Sequence, residues 1–190
     1  ARNPKHETNS KFETQNVSDF GFRISDLNLL DQWLLSRWNS LVISVTKSLD
    51  EYDATLASRE IEKFVIDDLS NWWIRRSRAN FQLTTNNLQQ DLLRFILLEL
   101  SKLIAPFTPF IAEHLHKELH HGTKPGTVSV HFHDWPEADE KMIDEKLEKE
   151  MEAVRKIVNL GLAARKNAII KVRQPLANLT VRQFLISKSE

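Results

Sequence analysis

Ile61-Glu62-Lys63-Phe64-Val65-Ile66-Asp67-Asp68-Leu69-Ser70-Asn71-Trp72-Trp73-Ile74-Arg75-Arg76-Ser77-Arg78 is the stretch on which the fold turns. Ile61, Phe64, Val65, Leu69 and Trp72 recur at helical spacing, so the run reads as a helix with one buried stripe. Asp53 upstream can cap it. Its end carries Arg75, Arg76 and Arg78, and positive charge suits a helix C-terminus. Neighbours on an α-helix lie about 100° apart, so two adjacent tryptophans cannot both face one core. One of the pair is expected to pack inside. The other would lie at the rim, able to stack on a base or on an arginine.

Patterns on either side extend the helical reading. Asn28 can cap a first helix, in which Leu30, Leu34, Leu41, Val45 and Leu49 recur, with Trp33 and Trp38 beside them, up to about Tyr52. A third helix is predicted over 88–104, stopped by Pro106. Thr108 then Pro109 marks the start of a fourth, to about Leu119, which Gly122 can close. Gln82 to Asn87 reads as a connection, and His121 to Pro136 as a loop with a short extended piece at 128–132. A long charged helix should begin at Asp139, with Ile143, Leu147, Met151, Val154, Val158 and Gly161 along one stripe. Gly161 would let a partner backbone come close. After Ala168, Ile170, Val172, Leu179 and Val181 alternate with polar or basic residues, as strands do.

The expected architecture is all-α, an antiparallel helical bundle followed by a long helix and a short extended C-terminal tail. Residues 1–24 read as a polar linker or tail, 25–136 as the bundle, and 137–190 as the long helix with the opening of a further module. Gly and Pro number only 4 and 6 in 190 residues, which favours long helices over many short strands. No cysteine is present, so disulfides and thiolate-metal sites are excluded, and a reducing compartment is fitting. No apolar run approaches the roughly 20 residues of a membrane span. The basic start has no apolar stretch behind it before Phe20, unlike a secretory signal.

Net charge is zero, so any nucleic-acid case must be local. The distribution is uneven. Acids dominate from Asp134 to Glu152, and none occurs from Ala153 to Lys188, where Arg155, Lys156, Arg165, Lys166, Lys171, Arg173 and Arg182 lie. A second acid-free window between Asp68 and Asp91 holds Arg75, Arg76 and Arg78. Guanidinium groups grip phosphate with two bonds and stack on bases. Helix-dipole complementarity with ordinary core aromatics explains the first cluster as simply, and a solvated face balancing the acidic run explains the second.

Catalytic and metal readings find little. Asp67 and Asp68 are adjacent and do not converge as an acid/base pair. No Gly-rich phosphate loop or nucleophile elbow occurs. His116 and His120 share a helix face at zinc-compatible spacing, near His114, His121, His131 and His133. Without cysteine or an HExxH pattern, surface histidines beside a loop are the better reading.

Several runs resemble one family. Leu30-Asp31-Gln32-Trp33-Leu34-Leu35-Ser36-Arg37 resembles the opening helix of the anticodon-binding domain of class I aminoacyl-tRNA synthetases. Leu103-Ile104-Ala105-Pro106-Phe107-Thr108-Pro109-Phe110-Ile111-Ala112-Glu113 is similar to a run shared by the valyl, leucyl and isoleucyl enzymes. Asp67 through Arg78 looks like the isoleucyl branch, in its archaeal and eukaryotic-cytosolic-like form. Ser129 through Pro136, and Leu160 through Leu176, again look isoleucyl-like. Trp73 stands where the pattern has tyrosine, and Gln32 where it has arginine.

The resemblance implies a cytoplasmic parent enzyme that loads isoleucine onto tRNA(Ile) with ATP and Mg. The HIGH and KMSKS signatures of its catalytic domain are absent from this sequence, so this part would carry no catalytic site, no cofactor and no metal. Its partners would be the anticodon stem-loop and the catalytic and editing domains of the same chain, not a membrane. Splayed bases and phosphates would meet Trp73, Arg75, Arg76, Arg78, Arg165, Lys166, Lys171 and Arg173. The rivals are the same domain from a valyl or leucyl enzyme, or a helical protein-interaction scaffold.

Overall fold

The computed structural model describes residues 26–82, 88–120, 129–178 and 180. Expectations for the polar tail, for residues 83–87, for Gly122 and His121, and for Leu179, Val181 and Arg182 fall outside these residues. One compact unit runs through Asp144 and a second begins at Glu145. Every regular element among the described residues is helical.

In the first unit, α1 (Leu29–Asp50) starts where Asn28 Oδ1 accepts from the N–H groups of Leu30 and Asp31, at 2.9 and 3.0 Å. It ends in a left-handed residue, Tyr52, with φ of 60°. Asp53 N–H reaches back to the Ser48 carbonyl at 2.8 Å and Tyr52 N–H to that of Leu49 at 3.0 Å, the paired bonds of a Schellman closure. Asp53 also opens the next helix, its Oδ1 accepting from Leu56 N–H at 2.8 Å. One residue therefore closes α1 and caps α2 (Ala54–Lys63).

α2 runs without a break into a π-helical passage, Phe64–Ile74, and then into α3 (Arg75–Ser77). A π turn closes through i→i+5 bonds, so residues four or five apart share a face, and long π runs are rare. The burial follows that wider period: Phe64, Asp68, Leu69, Trp72 and Trp73 are all buried. Neighbours on a π turn also lie closer in angle than on an α turn. Hence the expectation that one tryptophan is left at the rim fails: Trp72 is 8 % exposed and Trp73 0 %.

Two charged contacts fasten this passage to its neighbours. The buried Asp68 accepts from Arg37 Nε of α1 at 3.1 Å. The indole Nε1 of Trp73 donates to Asp31 Oδ1 of α1 at 2.8 Å, and Gln89 Nε2 reaches the other oxygen at 3.3 Å. Trp73 also meets Phe81 edge-on at 5.7 Å. Burial pushes the Asp31 carboxyl up, against the lowering effect of these donors.

α4 (Leu88–Ile104) and α5 (Pro109–His120) pack together, with Leu92, Phe95, Ile96, Leu100 and Leu103 of α4 buried. Thr108 takes the N-cap position of α5, its carbonyl accepting from Ala112 N–H at 3.0 Å. Arg94 Nη2 donates to the Leu119 carbonyl at 2.8 Å, placing a cation at the C-terminus of α5. Val130–Phe132 is one 3-10 turn rather than an extended piece. The segment from Trp135 to Asp144 then runs antiparallel along α1. Trp135 Nε1 donates to Thr46 Oγ1 (2.9 Å), Asp139 N–H to Asn39 Oδ1 (2.7 Å) and Asp144 N–H to Ser36 Oγ (2.9 Å). Polar residues on one line of α1 thus satisfy two backbone N–H groups and one indole of a segment that builds no ladder of its own.

Asp139 caps a 3-10 turn, Glu140–Met142, and not the long helix. That helix, α6 (Glu145–Asn167), forms the second unit with the residues that follow. Its first turn is acidic and its last basic, complementing the helix dipole. It closes through a left-handed Ile169 (φ 56°), with Ile170 N–H on the Arg165 carbonyl at 2.9 Å and Ile169 N–H on that of Lys166 at 3.2 Å. The described residues beyond are a turn and irregular backbone, and no strand occurs among them. Among the described residues, a Cβ on Gly161 would meet nothing within 4 Å, so the expected close backbone approach is not made by them.

Candidate nucleic-acid interface

Arg75, Arg76 and Arg78 are all exposed, at the end of the helix that begins with Ala54, while Ser77 between them is buried. Arg76 packs against its own helix. Its guanidinium carbon lies over the Trp72 ring, 3.1 Å from the centroid, and Nη1 donates to the Trp72 carbonyl at 3.1 Å. The stacking partner of an arginine is therefore Trp72. Trp73, expected as a stacking residue, bonds to Asp31, meets Phe81 edge-on and is fully buried, so it has no face to offer a base in this structure.

The other basic zone belongs to the second unit. Lys166, Lys171 and Arg173 are exposed. Arg165 is half-buried and engaged: Nη1 donates to the carbonyls of Lys171, Val172 and Gln174, at 3.0, 3.2 and 2.9 Å. It gathers the chain after α6 into a turn and so sets the direction in which Lys171 and Arg173 project.

Of the histidines, His116, His120 and His133 come together. Ser101 Oγ gives its proton to the Leu98 carbonyl (2.6 Å), so toward His116 Nδ1 (3.1 Å) it can only accept. His116 is then protonated on Nδ1, and its Nε2 accepts from His133 Nε2 at 3.1 Å. His120 Nδ1 donates to the His116 carbonyl at 2.9 Å. Among the described residues no three histidine or carboxylate side chains converge on a metal position. A nearby cleft of about 220 Å³, lined by Lys102, Pro106, His133 and Trp135, is smaller than the roughly 300 Å³ at which small-molecule sites begin.

Burial, reinforced by His120, His133 and Lys102, pushes the His116 imidazole down to about 4. A histidine lowered on folding contributes stability that is complete above its unfolded value near 6.5 and is lost as pH falls toward 4. Glu113 is held down to about 2 by Lys117, Ser129 and the Val130 N–H, so its contribution persists until pH drops below about 4.5. Urea unfolding from pH 7 to 4 should therefore show a loss approaching 1.4 kcal/mol per pH unit from His116. The slope should flatten in His116→Gln. Asp31 and Glu99, whose carboxyls burial pushes up, act with the opposite sign but are common to both proteins. Equal slopes would remove His116 as the source.

Residues 31–181 match the family model described as the anticodon-binding domain of tRNA ligase. The chain belongs to this family of anticodon-binding domains. Its relatives include an isoleucine–tRNA ligase of Dehalococcoides mccartyi, 46 % identical over 166 residues, covering 85 % of this chain and 16 % of that protein. The isoleucine–tRNA ligase of Thermococcus kodakarensis is 43 % identical over 157 residues, 80 % of this chain and 14 % of that protein. Isoleucine–tRNA ligase 2 of Bacillus thuringiensis is 39 % identical over 194 residues, 92 % and 18 % respectively. The chain thus spans about a sixth of the length of these relatives. They come from both bacteria and an archaeon, and do not single out the archaeal and eukaryotic-cytosolic-like form.

The matched span of this anticodon-binding domain contains Arg75, Arg76 and Arg78 and, of the second basic zone, its residues from Arg155 to Arg173. Sequence reasoning placed the cluster at Arg75–Arg78 on a helix end but missed which tryptophan serves it. It also missed the acids that hold the helix in place. Asp31 and Asp68 carried a signal, since each is a carboxylate beside the apolar stripe of its helix. No helix among the described residues is long and apolar enough to cross a membrane.

Proposed function

We propose that this domain docks the anticodon stem-loop of tRNA(Ile) for an isoleucine–tRNA ligase, with ATP- and Mg-dependent aminoacylation carried by the rest of the parent chain in the cytoplasm. The observation that carries the reading is the exposed Arg75, Arg76 and Arg78 cluster at one helix end, inside the span that matches the family. Phosphates are held by such cations, while unpaired loop bases are available to stack. Lys166, Lys171 and Arg173 supply a second set of phosphate contacts, oriented by Arg165. Phe110 and Ile111, exposed in the first turn of α5, are offered to the catalytic and editing domains of the parent. The narrower placement in the archaeal and eukaryotic-cytosolic-like form rests on the Asp67–Arg78 run alone.

The test is a titration of the whole chain with the anticodon stem-loops of isoleucine, valine and leucine tRNAs at several salt concentrations. The isoleucine loop should bind tightest, and its log affinity should fall linearly with log salt. A preference for the valine or leucine loop would move the domain to that enzyme. No salt-dependent binding to any of the three would leave a protein-interaction scaffold.

A further inference from the structure

The geometry around Arg76 divides the work within the arginine cluster. A guanidinium that grips phosphate presents its N–H edge to the anion. Arg76 instead lies over the indole of Trp72, with its guanidinium carbon 3.1 Å from the ring centroid and Nη1 committed to the Trp72 carbonyl one helical turn back. The indole beneath is 8 % exposed while Arg76 itself is exposed, so a planar cation is what this spot presents to solvent. Its orientation is set before any ligand arrives, which lowers the ordering cost of binding. What docks on the face of a held guanidinium is another flat π system, and unpaired bases of a single-stranded loop stack on such planes. Arg75 and Arg78, exposed on the flanks in an acid-free window, favour a ligand whose flat groups are strung on a phosphate backbone.

We propose that the Trp72–Arg76 stack is the platform for one unpaired base of the bound RNA loop, with Arg75 and Arg78 on the adjoining phosphates. This rests on the anticodon reading above. The whole chain is titrated with the isoleucine stem-loop and with versions carrying an abasic site at each loop position in turn. One abasic position should weaken wild-type binding by about 5- to 150-fold, the range for a single stacked base. Arg76→Lys keeps the charge and loses the plane. It should bind intact and abasic loops alike, with the salt slope unchanged, whereas Arg75→Lys should retain the discrimination. Circular dichroism confirms that each variant is folded.

If Arg76→Lys still discriminates against that abasic loop, the platform is overturned while the anticodon reading stands. If Arg76→Ala lowers the salt slope by about one while abasic discrimination is untouched, Arg76 is a phosphate contact and the platform is again overturned. If no stem-loop binds at all, the anticodon reading itself falls, and the platform with it.

Discussion

Replacing Arg75, Arg76 and Arg78 together by alanine lowers the affinity for the anticodon stem-loop by roughly 100- to 1000-fold. Each charge-assisted contact or stacked plane contributes on the order of 1–1.5 kcal/mol, and three act here. The slope of log affinity against log salt falls by roughly 2, since two of the three meet phosphates. The fold tolerates the change because all three side chains are exposed and the substituted positions remain helix-compatible. Stability should shift by only about 1–2 kcal/mol, through the lost cation–π contact and helix-end charge. Isothermal titration at three salt concentrations, alongside urea unfolding, checks both halves. An unchanged affinity would remove this helix end from the interface and leave the second unit as the only RNA contact.

Trp73→Phe has the opposite profile: a large loss of stability and no change in RNA binding by the folded protein. Phenylalanine cannot donate to Asp31 Oδ1, which Trp73 Nε1 now reaches at 2.8 Å inside the core. The carboxylate keeps Gln89 at 3.3 Å and the Asn28 backbone contact, but it loses the indole donor. A lost bond to a buried charged group plus the space left by the smaller ring cost about 2–4 kcal/mol. Urea midpoints measure the first effect, and stem-loop titration well below the unfolding temperature measures the second. A weakened affinity with unaltered stability would return Trp73 to the interface.

These two residue sets show what a sequence discloses and where it stops. Helix starts at Asn28, Asp53 and Thr108-Pro109 were legible because capping is local chemistry, decided by one side chain and the next few N–H groups. The arginine cluster was legible for the same reason, as charge at a helix end. The burial of both Trp72 and Trp73 was not, because an α period sets neighbours about 100° apart and the π passage changes that period. Nothing local in Phe64–Ile74 announces the wider turn. It depends on contacts from 31, 37 and 89, which are distant in sequence. Likewise, Asp139 looked like a helix cap, and the turn it caps is held by Asn39, 100 residues earlier. The strand-like alternation after Ala168 finds no partner among the described residues, and alternation alone makes no sheet.

The π passage also fixes a phase. A helix is a screw thread, and the heading of every side chain beyond a given point depends on how many residues were spent reaching it. Between Phe64 and Ile74 the thread is cut at a coarser gauge, so Arg75, Arg76 and Arg78 leave it at an azimuth that a uniform α thread of the same length would not give. Shortening this passage by one residue, even at an exposed position such as Ser70, would leave the cluster's composition intact and swing it around the axis. Length here is as strict a requirement as charge: the passage tolerates exchanges on its outer face far better than it tolerates a deletion.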